Sequence, residues 1–156
     1  MTATTLAAKL NTARKQYPGQ FWMLYAGMLI SRTGSSLIWP FLMIFIANKL
    51  GLALTAASSL MTIRAVAGLG ASFIAGSLVD RFGRKWSMVI SLVAIGASYF
   101  LFPFMETFIA FALLMAFRGA VQPLYAVGAN AMVADLIPED ERIDAYALMR
   151  LAGNVG

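Results

Sequence analysis

Residues 76–87 read GSLVDRFGRKWS and lie between two long apolar runs. From Asp80 to Lys85, one acidic and three basic residues occur within six positions. The chain around them is 60% hydrophobic and only 12% charged, and its mean hydropathy is positive. This composition is outside the usual range of soluble domains and indicates a membrane protein. The charged stretch is therefore predicted to be a short connection between two membrane helices.

Four apolar segments are long enough to cross a bilayer, because about 20 residues of helix span its hydrocarbon core. A fifth helix is predicted to follow them and to be cut off by the end of the chain, so we expect a fragment of a longer protein. The first segment is too long for the core of a cleaved signal peptide and is expected to remain in the mature protein. The predicted helices lie at about 20–48, 53–79, 86–105, 107–134 and 140–156.

The basic residues between the segments predict the orientation. Lysines and arginines are concentrated in the N-terminal tail and the second loop, one arginine lies in the fourth loop, and the third loop has none. Because cytoplasmic loops carry the excess of positive charge, tail 1–19 and the second and fourth loops are predicted to be cytoplasmic. We therefore expect a multi-pass protein of the cell membrane, with the lipid bilayer as its main partner. The net charge of +5 forms no continuous stripe, so no nucleic acid partner is expected.

The absence of cysteine and histidine limits the possible chemistry. Thiolate and imidazole ligands are excluded, and so is the commonest general base. We expect no metal, no cofactor and no enzymatic activity.

A row of small residues in the second segment predicts close helix packing. Gly68, Ser72 and Gly76 recur every four residues, with alanines one position behind each. In lipid, such a row lets two helix backbones approach each other.

The charged loop has a simple explanation as a topological anchor, but this accounts neither for Asp80 nor for the spacing. The pattern G-x-L-x-D-R-x-G-R-K resembles the signature loop between the second and third helices of the major facilitator superfamily. Val79 stands where that family more often has a small residue. The resemblance implies an all-α membrane protein, in which residues 20–156 form the first four helices and the start of the fifth of a twelve-helix fold. The matching residues are Gly76, Leu78, Asp80, Arg81, Gly83, Arg84 and Lys85.

The loop residues suggest a conformational latch. Gly83 can adopt a positive φ in a reversal of two to five residues, and Gly76 allows a helix to approach closely. Asp80, at the end of the second helix, is placed to accept hydrogen bonds from the N-terminus of another helix. The resemblance implies that this helix belongs to the C-terminal half of the protein and that Arg84 pairs with an acid ending the fourth helix, here Asp135.

Three arginines near the centres of the segments are candidates for a translocation pathway: Arg32, Arg64 and Arg118. Facing lipid, each would cost at least about 2.5 kcal/mol, so each should face a cavity, a partner or hydrogen-bonding groups of neighbouring helices. Arg118 resembles the fourth-helix arginine of drug:proton antiporters, but Gln122 replaces the glycine expected four residues later. Gln122 is the fourth candidate for the pathway. Trp39, away from the segment ends, is a candidate for the interior. Segments one to four contain no central carboxylate. Either the carboxylates that couple transport to protons lie in the remaining part of the protein, or the three arginines favour an anionic substrate.

The resemblance implies a transporter with alternating access. Secondary active efflux of a small molecule or drug by proton antiport is the first expectation, with the substrate, protons and the C-terminal half of the protein as partners. Uptake or facilitated transport of a polar or anionic metabolite is an alternative. A four-helix membrane scaffold subunit that does not transport is the alternative of another class.

Overall fold

The computed structural model describes residues 17–155, which form helices and short connections without any strand. The predicted tail therefore lies largely outside the described residues. Four helices are long and apolar enough to cross a membrane, the third together with a short 3₁₀ turn, Phe102–Phe104. This agrees with the all-α membrane fold predicted from the sequence, and the helix bounds lie within four residues of the predicted ones. The helices are α1 Gly19–Leu50, α2 Leu54–Phe82, α3 Arg84–Leu101, α4 Phe108–Leu136 and α5 Arg142–Val155.

The connection between α2 and α3 is Gly83 alone. Its φ of 83° and ψ of 149° lie in a region open essentially to glycine. Gly83 thus has the positive φ predicted from the sequence, but the predicted reversal of two to five residues is wrong. One residue suffices because the Gly83 N–H still bonds to Val79 of α2 and its carbonyl already accepts from Ser87 of α3.

The chain divides into two compact units. The central unit comprises residues 38–132, and the terminal unit comprises residues 17–37 with 133–155. The central unit has an apolar core formed by the second half of α1, the starts of α2 and α4, and the turn after α3. The buried residues of this core are Leu42, Met43, Ile46, Ala47, Ala57, Leu60, Phe102, Phe111, Leu114 and Met115.

Helix α3 has its polar side buried and its apolar side exposed. Ser87, Ser91 and Ser98 are almost completely buried, whereas Val93 and Phe100 are 64% and 79% exposed. Ser91 donates a hydrogen bond of 2.7 Å to the carbonyl of Val121 on α4. Such a distribution suits a helix surrounded by lipid, where apolar side chains face the acyl chains and hydroxyls join neighbouring helices.

The terminal unit is held partly by Arg142 at the start of α5. Its guanidinium donates to the carbonyl of Ala134 at 2.7 Å and to that of Ile137 at 3.1 Å. These carbonyls lie at the C-terminal end of α4, where backbone acceptors lack helical partners. Arg142 therefore caps α4 and fixes the reversal into α5. At the start of α1, Tyr17 and Phe21 pack edge to face, with ring centres 4.8 Å apart.

Candidate functional site

Helices α2 and α4 touch backbone to backbone at two glycines of the central unit. A Cβ atom added to Gly119 would overlap the carbonyl oxygen of Arg64, and one added to Gly68 would lie 3.3 Å from the carbonyl oxygen of Gly119. Gly68, which belongs to the row of small residues predicted on α2, thus makes a close contact with the backbone of another helix. At Gly76 an added Cβ would meet nothing within 4 Å among the described residues, so close packing there stays a prediction. The closest approach of the two backbones among these glycines is therefore in the middle of α2.

This contact places two of the predicted pathway arginines side by side. Arg64 and Arg118 are each ten residues from the start of their helix, which is about 15 Å along the axis. Arg118 directly precedes the contact glycine Gly119, and Arg64 supplies the backbone oxygen that Gly119 meets. The Arg118 side chain is only 4% exposed, whereas Arg64 is half-buried. The two arginines therefore lie well inside the predicted membrane-spanning segments.

Three aromatic rings surround the Arg118 guanidinium. Its Cζ lies 4.1 Å from the ring centre of Tyr99, 5.4 Å from Trp39 and 5.5 Å from Phe102. Arg64 faces the same Trp39, at 4.6 Å. Each such contact stabilises a cation by about 0.5–2 kcal/mol, more where water is excluded. The rings offset part of the cost of burying Arg118, but they supply no hydrogen-bond acceptor in the plane of the guanidinium.

The polar groups of this arginine cluster, defined as Arg64, Arg118, Tyr99 and Gln122, are incompletely paired. Arg64 Nη1 donates to Gln122 Oε1 at 2.6 Å. Gln122 follows Arg118 by one helical turn and thus lies on the same face of α4. Three buried polar atoms of the cluster have no hydrogen-bond partner among the described residues: Arg64 Nε, Arg118 Nη1 and the Tyr99 hydroxyl. A buried donor without an acceptor costs about 1–3 kcal/mol, so the cluster can accept a ligand with hydrogen-bond acceptors.

No acidic side chain is available in the middle of these helices. The acids of residues 38–132 are Asp80, near the end of α2, and Glu106, between α3 and α4. No group of acidic side chains able to hold a metal ion occurs in the described part of the chain. The arginine cluster is thus a cationic site, suited to binding rather than to proton exchange, because arginine stays protonated.

The loop motif runs from the last turns of α2 through Gly83 into the start of α3. Asp80 is exposed two residues before the end of α2, and within residues 17–155 its carboxylate accepts no hydrogen bond. Arg84 begins α3, and Asp135 is the last residue but one of α4. The pairing of Arg84 with Asp135 and the latch itself stay predictions.

Arg32 is an exposed residue of α1 in the terminal unit. Its side chain has no hydrogen-bond partner among residues 17–155. Its role in a pathway therefore stays a prediction.

Two residues of the site were not predicted from the sequence. Phe102 lies at the end of α3, where an aromatic residue suggests an interfacial anchor, and Gly119 belongs to no regular row of small residues. The signal for Gly119 was its position directly after a central arginine. A glycine in a membrane helix permits another backbone to lie against that turn.

Comparison with known proteins places this arrangement in a family. The sequence pattern of the Major Facilitator Superfamily matches residues 24–156. The chain is 33% identical over 138 residues, 83% of its length, to a Na(+), Li(+), K(+)/H(+) antiporter of Planococcus maritimus, of which it covers 31%. It is 31% identical over 135 residues to Multidrug resistance protein 1 of Bacillus subtilis, covering 86% of this chain and 34% of that protein. It is also 24% identical over 137 residues to Quinolone resistance protein NorA of Staphylococcus aureus, covering 88% of this chain and 35% of that protein. The chain thus spans about a third of the length of these curated relatives.

Proposed function

Because the chain belongs to the major facilitator superfamily, we propose that it forms part of a secondary transporter that exports a small molecule in exchange for protons. The observation that carries the binding and transport part of this proposal is the arginine cluster, a polar site with unpaired donors deep within membrane-spanning helices. Relatives named as a cation/H(+) antiporter and as drug resistance proteins support antiport and efflux. Membership of a transporter family argues against the alternative of a membrane scaffold subunit that does not transport.

The proposed mechanism is alternating access around the arginine cluster. Arg118 is shielded by aromatic rings in the described conformation, while Arg64 and Gln122 lie at its more exposed edge. Substrate would reach the cluster from that edge in one state and leave it in another. Since arginine does not release its proton, the coupling proton needs a carboxylate, and we place this group outside residues 38–132.

The loop between α2 and α3 is proposed to control the change of state. The exposed Asp80 carboxylate is available for the N-terminus of a helix outside the described residues, where free N–H groups favour an anion. With the proposed Arg84–Asp135 pair, it would hold the outward-facing state. Asp80→Asn keeps the size of the side chain and removes the charge, so transport by the full-length protein should slow severalfold. A transport rate equal to that of the wild type would exclude the latch.

The alternative is facilitated transport or uptake of a polar or anionic metabolite. It is favoured by the pair of arginines with no acid between them. The two functions differ in their response to protons, which flux into liposomes containing the full-length protein can measure. Under proton antiport, an imposed pH gradient should drive accumulation of a quinolone or of Na⁺, the substrate classes in the names of the relatives. Flux that ignores the pH gradient would refute antiport and favour the alternative.

A further inference from the structure

We infer that the arginine cluster binds the carboxylate of an aromatic substrate and that Gln122 occupies this site when the substrate is absent. The inference rests on the proposed transport function and names the substrate class. It is carried by the unpaired donors, by the contact of Gln122 with Arg64, and by the rings around Arg118.

The unpaired donors call for an anionic acceptor. Arg64 Nε and Arg118 Nη1 are buried without partners, and the Tyr99 hydroxyl is a third group without one in the described chain. Both guanidinium groups lie against the ring of Trp39, at 4.6 and 5.4 Å from its centre, and the inference places one small ligand in contact with both. Planar guanidinium groups bind carboxylates with two parallel hydrogen bonds, and these charge-assisted bonds are about twice as strong as neutral ones.

Gln122 is proposed to take the place of the substrate carboxylate, as a neutral acceptor, when no substrate is bound. Its Oε1 accepts from Arg64 Nη1 at 2.6 Å, and the residue is otherwise exposed. An amide oxygen satisfies one donor but leaves the positive charge of Arg64 without a counter-ion. A carboxylate offers two oxygens and a full negative charge, so it can replace Gln122 at Arg64 and also reach Arg118. Displacing an exposed amide exchanges one hydrogen bond for stronger ones.

The rings define the rest of the ligand. Trp39, Tyr99 and Phe102 present apolar faces next to the cationic groups. An aromatic body attached to the carboxylate could pack on these faces, as aromatic pairs do with ring centres 4.5–7 Å apart. In the described conformation Arg118 Nη1 and the Tyr99 hydroxyl are closed to solvent, so the ligand must enter where Gln122 moves away.

Benzoate binding to the full-length protein tests this inference without any pH gradient. Trp39 fluorescence reports on the cluster directly once Trp22, Trp86 and any tryptophan in the rest of the full-length protein are changed to phenylalanine. We expect saturable quenching or a spectral shift with benzoate, and at least about tenfold weaker binding of benzamide, which has the same shape without the charge. Failure of benzoate to bind, or equal binding of benzamide, would overturn the inference. Proton-coupled flux could still be present in that case, because it is measured separately.

Matched variants locate the site. Gln122→Glu places a carboxylate beside Arg64 and should weaken benzoate binding at least about tenfold, whereas Gln122→Met removes the competing acceptor and should keep or improve it. Arg118→Lys and Arg64→Lys retain the charge but lose the planar fork, and should weaken binding about tenfold. Arg150→Lys changes an exposed arginine of α5 and should leave binding unchanged. Equal affinity of Gln122→Glu and Gln122→Met, or an effect of Arg150→Lys as large as that of Arg118→Lys, would exclude this site.

Discussion

The contact of α2 with α4 predicts a large effect of the smallest possible substitution, Gly119→Ala. The added methyl group would overlap the backbone oxygen of Arg64 and lie 3.2 Å from the Cβ of Ala67. Backbone cannot rotate away as a side chain can, so the two helices would have to separate by about 1 Å or more to restore normal contact. Overpacking of this kind costs about 1–3 kcal/mol. The higher helix propensity of alanine offsets at most about 1 kcal/mol of this loss of stability.

Gly70→Ala is the matched control, because it lies on α2 and its added Cβ would meet nothing within 4 Å. It should be neutral or stabilising by up to about 1 kcal/mol. Gly68→Ala should lie between the two, since its Cβ would be 3.3 Å from the Gly119 carbonyl. Thermal unfolding in detergent, followed by tryptophan fluorescence, should place Gly119→Ala about 5–10 °C below Gly70→Ala for a unit of this size. Equal melting temperatures would refute the close contact and, with it, the juxtaposition of Arg64 and Arg118.

Three further predictions concern the connections and the start of α1. Gly83→Ala should destabilise the protein by about 1–3 kcal/mol, measured by the same unfolding assay, because alanine avoids a φ of 83°. Arg142→Gln should cost about 1–3 kcal/mol and accelerate proteolysis after α4, since it removes charge-assisted bonds to two carbonyls. Burial, and then the charges of Asp144 and Glu141, raise the pKa of Tyr17 above 10.0. The neutral phenol of Tyr17 thus stabilises the fold below the unfolded pKa of about 10, and this contribution is lost as the pH rises through the folded pKa. Tyr17→Phe has no ionisable phenol at this position, so its stability should fall less at alkaline pH than that of the wild type.

The helices and their approximate bounds could be predicted because bilayer thickness fixes the length of an apolar segment. The loop motif likewise predicted a glycine with positive φ at the correct position. Helix rotation could not be predicted, because lipid-facing and protein-facing residues are both apolar in a membrane protein. For this reason the sequence did not show which residues of the row on α2 meet α4, and the serine face of α3 was not recognised as buried.

The candidate site was predicted as separate residues and not as a cluster. The cost of a buried charge identified Arg64 and Arg118, and the position of Trp39 suggested an interior role. Their proximity depends on Gly119, whose importance lies in a contact with a residue 55 positions earlier in the chain. Gln122 was a candidate for the pathway as well as a departure from a family pattern, but its contact with Arg64 was not predicted. The structure shows that this residue accepts a hydrogen bond from Arg64.

The exchange of protons for substrate is tested most directly by loading liposomes that contain the full-length protein with a quinolone and diluting them into substrate-free buffer at equal pH. A pH-sensitive dye in the lumen then reports on proton movement while quinolone efflux is followed in parallel. The proposed antiport predicts that the lumen becomes more acidic as quinolone leaves, and that Arg118→Lys reduces both signals together. Protein-dependent quinolone efflux at an unchanged lumenal pH would contradict it.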